Sequence, residues 1–282
     1  MSLGLGGNAL NILVTIDENY VKPLKIMLAS LFRNTPAPIT VYLLHSKLTA
    51  ETVDQLQAFV GRYESKLIPL KADNSLFQEA PLTKHYTVEM YYRLLAYQFL
   101  PADVEKILYL DPDILVINDL TPLYEMPLAE QLFAAAHHDI IGMNELNKLR
   151  FLPYEIENYY NTGVLLMNVA AQRQRIEPEE IFDFVEEHGS WLALPDQDVL
   201  NALYAHEVVA LDELKYNYDA RKFRYYQLKT LGEWPMERVA FETALLHFCG
   251  KNKPWQDGYT GLFHALYQHY HRLMVIDESK KA

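Results

Sequence analysis

The chain has 282 residues, half of them hydrophobic, which is enough for a sizeable core in one large or two modest domains. Acidic residues outnumber basic ones, 37 to 25, for a net charge of −12, which opposes nonspecific binding to DNA or anionic lipid. One cysteine, Cys249, excludes an internal disulfide and favours a cytoplasmic setting with a free buried thiol, and no run nears the roughly 18 apolar residues of a membrane span.

The Gly-rich start, Met1 to Gly7, reads as a flexible leader without the pattern of a signal peptide. Leu10 to Ile16 is apolar and rich in β-branched residues, so it is expected as a buried strand running into the loop Asp17-Glu18-Asn19-Tyr20. Pro23 then opens a helical pattern of Leu24, Met27, Leu28, Leu31 and Phe32 that Pro36 and Pro38 stop. Ile39 to Leu44 predicts a second strand, Glu51 to Tyr63 a helix, and Leu67 to Leu70 a brief strand. A helix over about Val88 to Leu100 leads into the apolar run Lys106 to Leu110.

That run ends in Asp111-Pro112-Asp113, and Ile114 to Ile117 follows directly. In extended chain, residues two apart point the same way, so both carboxylates can aim at one ion. Pro112 has no N–H and suits a strand end. Hard oxygen ligands favour Mg²⁺ or Mn²⁺, ions that commonly bridge protein to phosphate, which makes a nucleoside diphosphate a natural ligand. Asp-Pro-Asp is equally ordinary turn chemistry.

Further on, Leu132 to Ala136 and Thr162 to Asn168 read as strands, separated by a long polar and aromatic stretch that suits a lid or a surface insertion. Pro178 to His188 has the signals of a helix, and Asp196 is expected to cap another over Gln197 to Tyr204. Alternating strands and helices imply an α/β, mainly parallel sheet covered on both faces, with ligands at the carboxyl ends of its strands. Asp17 and Asp111 both fall at such ends. The organisation expected is a single domain over residues 8–260, with a nucleotide-binding half at 8–120, an acceptor and sugar half at 121–260, and a tail at 261–282.

Five clusters in order, Asp17-Glu18-Asn19-Tyr20, Asp111-Pro112-Asp113, Asn161-Thr162-Gly163, Asp196-Gln197-Asp198, and Leu246-His247-Phe248-Cys249-Gly250 through Lys253-Pro254-Trp255, resemble the retaining glycosyltransferases of family 8. Bacterial lipopolysaccharide galactosyl- and glucosyltransferases are the nearest relatives by this resemblance, and glycogenin is more distant. The resemblance implies a Rossmann-like nucleotide-diphospho-sugar transferase fold of GT-A type, a UDP-sugar donor, a glycan or lipid-linked glycan acceptor, and Mn²⁺ or Mg²⁺ as cofactor. Position by position it implies that Thr15, Asp17, Asn19 and Tyr20 hold uracil and ribose, and that Arg93 reaches the donor. Asp111, Asp113 and His247 become metal ligands; Gly250 and Lys253 meet the diphosphate. Asn161, Asp196 and Gln197 surround the transferred sugar, and Asp139 lines the sugar and acceptor region.

Breaking a sugar–phosphate bond leaves negative charge on the departing diphosphate, which a metal and Lys253 can stabilise. Gln197 is a neutral amide and a poor nucleophile, so same-face attack is favoured over a covalent intermediate, with Asp196 as the covalent candidate. Pro112 replaces the aliphatic residue common in the family, and the mixed-charge segment from Tyr267 to Lys281 gives no firm membrane signal beyond peripheral contact at an inner membrane. Rival readings are a nucleotidyltransferase, for which no Gly-rich basic loop stands near the N-terminus, and a non-catalytic nucleotide- or sugar-binding protein.

Overall fold

The computed structural model describes residues 9–72, 88–137, 154, 156–189 and 192–280. Asp139 and His138, and most of the long stretch that precedes Asn161, lie outside the described residues.

Ten strands are described: β1 Leu10–Thr15, β2 Ile39–His45, β3 Lys66–Lys71, β4 Lys106–Leu110, β5 Ile114–Val116, β6 Phe133–Ala136, β7 Val164–Asn168, β8 Val208–Leu211, β9 Tyr218–Asp219 and β10 Leu245–His247. Seven form the central sheet in the order β3-β2-β1-β4-β7-β6-β8, and β5-β10-β9 form a small second sheet. Pairing across β3, β2, β1 and β4 is parallel, as is β6 with β8, whereas β7 runs antiparallel to both β4 and β6. The mainly apolar character of β1, β2 and β4 follows from burial on both sheet faces. One buried cluster joins β1 and β2 to the Val21–Asn34 helix, and another joins β4, β6 and β7 to the segments around Tyr91 and Phe182.

Sheet direction explains how distant motifs meet. Because β7 is antiparallel, its beginning rather than its end lies at the carboxyl edge of β4: Leu110 pairs with Val164, and the Asp111 amide donates to the Gly163 carbonyl at 2.8 Å. The second sheet does the same for the histidine. β10 pairs antiparallel with β5, placing His247 opposite Ile114, and the Phe248 amide donates to the Asp113 carbonyl at 3.0 Å.

Three local expectations are corrected. The helix expected over Val88 to Leu100 ends at Leu94; Leu95 leaves helical geometry at φ −107°, ψ 17°, and a 3₁₀ turn covers Ala96–Gln98. Asp196 is not a helix cap. The helix starts one residue earlier, at Pro195, whose fixed φ suits the first turn, and Leu194 precedes it with no side-chain cap. Asp198 instead accepts from the amides of Ala193 and Leu194 at 2.6 and 3.0 Å. Cys249, expected as a buried thiol, is only half-buried.

The 261–282 segment is helical from His264 to Ser279 and packs on the Val21–Asn34 helix. Asp277 ties it down: its carboxylate accepts from Arg33 and from the Tyr63 hydroxyl, and its backbone carbonyl accepts from Arg62 at 2.6 Å. No helix among the described residues is long and apolar enough to cross a membrane.

Candidate functional site

The β4–β5 junction carries the two acids from one sheet to the other, with Pro112 at the turn. Asp111 Oδ1 accepts from the Tyr109 hydroxyl at 2.6 Å and forms an ion pair with Arg93 at 3.2 Å. Its other oxygen, Oδ2, lies 3.8 Å from His247 Nε2, and Asp113 Oδ1 lies 3.3 Å from the same nitrogen. One atom from each of Asp111, Asp113 and His247 falls within 4.8 Å of the others. Two carboxylates and an imidazole facing a common point form a donor set suited to a divalent cation such as Mn²⁺.

Gly163 makes the approach possible. A Cβ there would sit 2.3 Å from His247 Cε1 and 2.7 Å from Asp111 Oδ2, so only hydrogen at this position lets the chain entering β7 lie against both side chains. On the far side, Lys253 pairs with Asp113 and donates to the Phe248 carbonyl at 3.0 Å. Burial works against the Asp113 carboxylate, but His247 and Lys253 outweigh it and hold its pKa well below the usual range. Burial likewise disfavours a charged His247 ring, yet Cys249 and Asp113 overcome that and raise its pKa well above the ordinary value. Lys253 and Arg93 set positive charge beside the two acids.

Arg93 joins the acid pair to the next motif. Its guanidinium contacts Asp111 at 3.2 Å and Asp196 at 2.7 Å, donates to Thr162 Oγ1, and lies 4.9 Å from the Tyr109 ring centre. Thr162 in turn donates to Asp196 at 2.7 Å. Asn161 donates to Gln197 Oε1 at 3.0 Å, a second pair beside that of Thr162 with Asp196. Asn217 stood out by no sequence signal. It accepts from His247 Nδ1 at 2.8 Å and donates to Asn161 Oδ1 at 2.8 Å.

The β1 loop reaches this group indirectly: Thr15 Oγ1 and the Tyr109 hydroxyl are 3.3 Å apart, and Tyr109 holds Asp111. Burial pushes the Tyr109 phenol well above its ordinary pKa, so it remains a donor. Asp17 accepts from the amide and side chain of Asn19 at 2.9 and 3.1 Å, closing a tight 3₁₀ turn whose last residue, Tyr20, meets Trp255 edge-on at 5.7 Å. Tyr20 and Trp255 therefore bring the first and last sequence motifs together.

Gly250 has φ +87°, in the left-handed region that favours glycine, and a Cβ there would lie 2.3 Å from Arg221 Nη1. Arg221 is held by buried Asp219 through bonds of 2.9 and 2.7 Å, another pair that the sequence did not mark. A cavity of about 1110 Å³ opens here, walled by Arg221, Arg224, Lys251 and Tyr259, with Lys253 also on its wall.

The family model described as glycosyl transferase family 8 matches residues 11–258. The chain is a family 8 glycosyltransferase. General stress protein A of Bacillus subtilis is 25% identical to this glycosyltransferase over 270 residues, covering 93% of this chain and 92% of that protein. A lipopolysaccharide 1,2-glucosyltransferase of Escherichia coli is 26% identical over 246 residues, covering 86% and 72%. The crystal structure of the galactosyltransferase LgtC with donor and acceptor sugar analogues superposes with a TM-score of 0.77 at 24% identity, covering 93% of this chain and 95% of that one. GlyE of Streptococcus pneumoniae gives 0.71 at 21% identity over 96% of this chain and 63% of that one. This glycosyltransferase thus has the GT-A fold expected from its motifs.

Proposed function

We propose that this glycosyltransferase moves galactose or glucose from a UDP-sugar to a hydroxyl of a lipopolysaccharide-type glycan, with retention of configuration and dependence on Mn²⁺, at the cytoplasmic side of an inner membrane. The observation that carries the reading is the convergence of Asp111, Asp113 and His247, residues from two sheets, on one point. Similarity to lipopolysaccharide glucosyl- and galactosyltransferases supports the acceptor class.

Asp111, Asp113 and His247 would hold the ion, and when bound it supplies positive charge against the diphosphate oxygens. Lys253 adds a point charge beside Asp113, and Gly250 allows the backbone to approach phosphate. Thr15, Asp17, Asn19 and Tyr20 hold uracil and ribose, and Arg93 reaches the donor while keeping Asp111 and Asp196 in place.

Asn161, Asp196 and Gln197 hold the sugar. Gln197 Oε1 already accepts from Asn161, and Asp196 Oδ2 is committed to Arg93 and Thr162. A carboxylate so tied is a weak nucleophile, which favours attack by the acceptor hydroxyl from the face the leaving group vacates. The cavity beside Lys253 offers space for that acceptor.

The test is a panel of UDP-sugars incubated with acceptor glycans and Mn²⁺, scored by release of UDP. One sugar is expected to turn over, with activity lost on chelation. Release of pyrophosphate instead, or turnover indifferent to chelator, overturns the proposal.

A further inference from the structure

The side chain of Asn217 is fully buried and sits between two groups to which function has been assigned separately. It lies immediately before β9, and β9 pairs in parallel with β10, with Asp219 opposite His247. That register carries Asn217 to the back of the imidazole, the side away from the acids. Its Oδ1 accepts from His247 Nδ1 at 2.8 Å, and its Nδ2 donates to Asn161 Oδ1 at 2.8 Å. Asn161 Oδ1 also receives the Gly163 amide at 3.0 Å, and Asn161 Nδ2 donates onward to Gln197 Oε1 at 3.0 Å.

The order of donors and acceptors in this relay is determined. Gly163 N–H can only donate, so Asn161 must present its oxygen to Gly163 and Asn217 and its nitrogen to Gln197. Asn217 must then present its nitrogen to Asn161, which leaves its oxygen for His247. An oxygen there demands a proton on Nδ1. A neutral ring protonated at Nδ1 carries its lone pair on Nε2, the nitrogen that faces Asp111 and Asp113 at 3.8 and 3.3 Å.

We propose that Asn217 is a positioning residue that orients His247 for the cation and, through the same side chain, sets the amides of Asn161 and Gln197 around the sugar. This rests on the metal and sugar roles proposed above. One amide with an acceptor end and a donor end does both jobs, so the two ends are separable by substitution.

Asn217→Asp keeps an acceptor for His247 but turns an oxygen toward Asn161 Oδ1. Asn217→Ala removes both contacts. Three readouts separate the roles: Mn²⁺ affinity by titration without donor or acceptor, kcat and KM for the donor at saturating Mn²⁺, and solvent protection of the His247 Nδ1 proton by NMR in the metal-free protein. For Asn217→Ala, Mn²⁺ affinity is expected to fall about 10- to 100-fold, the range for losing a partner of a ligating histidine, and the Nδ1 proton to lose protection. For Asn217→Asp, Mn²⁺ affinity and Nδ1 protection are expected to stay near those of the wild type, while kcat falls about tenfold or more as Asn161 and Gln197 lose their alignment.

A general packing role would instead lower melting temperature while moving metal affinity and turnover in parallel in both variants, and that result overturns the proposal. So does a His247 Nδ1 proton equally protected in wild type and Asn217→Ala. The NMR readout needs no metal, so wild-type protein that fails to bind Mn²⁺ would refute the functional reading while leaving the positioning claim to be decided by the protected proton.

Discussion

Two clusters of acid and base are built into this molecule, and they differ in what their oxygens face. At the C-terminal helix, Asp277 meets Arg33, Tyr63 and Lys280, so its carboxylate is surrounded by three donors. At the β4–β5 junction, Asp111 and Asp113 also have cations beside them, but each keeps an oxygen aimed at His247 Nε2 and at the same small space. The first cluster closes a structure and the second converges on one point. A buried carboxylate with a cation beside it is thus a poor sign of function, whereas ligand atoms converging from separate sheets are a good one.

The sharpest way to break the comparison is Asp113→Ala against Asp277→Ala. Asp113→Ala is expected to lower turnover at least about 100-fold, the scale of losing one electrostatic contact to a developing charge, and to abolish Mn²⁺ binding. Asp277→Ala is expected to leave kcat and KM unchanged and to lower unfolding free energy by about 2 kcal/mol, below the ~3–5 kcal/mol of a fully buried pair because Arg33 is partly solvated. Urea denaturation and UDP-release assays on both variants check the pair. Equal loss of activity would remove the distinction.

Linkage gives a second contrast. UDP with Mn²⁺ at about 100 times its dissociation constant should add about 2.7 kcal/mol to wild-type stability, seen as a raised melting temperature that a chelator reverses. The same addition should do nothing for Asp113→Ala and retain its full effect in Asp277→Ala.

The smallest effects are in pH. His247 has a raised pKa, so in metal-free protein its contribution to stability is complete below about 6.5 and is lost as pH climbs through the folded value. A metal must displace that proton, so Mn²⁺ affinity should rise by roughly up to tenfold per pH unit while the ring is still protonated. Calorimetric titrations across neutral pH test this, and affinity independent of pH would exclude His247 as a ligand. Asp277 behaves oppositely: Tyr63 and Arg33 outweigh burial and lower its pKa, so its stabilisation is present above 3.8 and is lost as pH falls through the folded value. Acid should therefore loosen the C-terminal helix, which amide exchange of residues 264–279 would detect.

The strands were legible because β1, β2 and β4 are apolar runs with turn signals at their ends, and the paired acids because alternation in extended chain needs only two positions. His247 was different. No spacing rule connects it to Asp113; the resemblance supplied it, and the antiparallel pairing of β5 with β10 accounts for it. The misreading of Asp196 as a cap has a similar origin, because Asp before a helical run is a good local signal, while Arg93 and Thr162, far away in sequence, are the partners it takes. Asn217 carried no signal at all. A buried asparagine is recognisable only by the groups at its two ends, and those come from the segment before β7 and from β10.

Composition, periodicity and motif order determined by themselves that this is an α/β chain with a loop of paired acids at a strand end, since those properties depend on neighbours along the backbone. Which oxygens face His247, which nitrogen of its ring faces the acids, and which amides stand behind them were decided by tertiary structure. They depend on the direction of β7 and the register of β10, and strand pairing between residues far apart is set by the whole core.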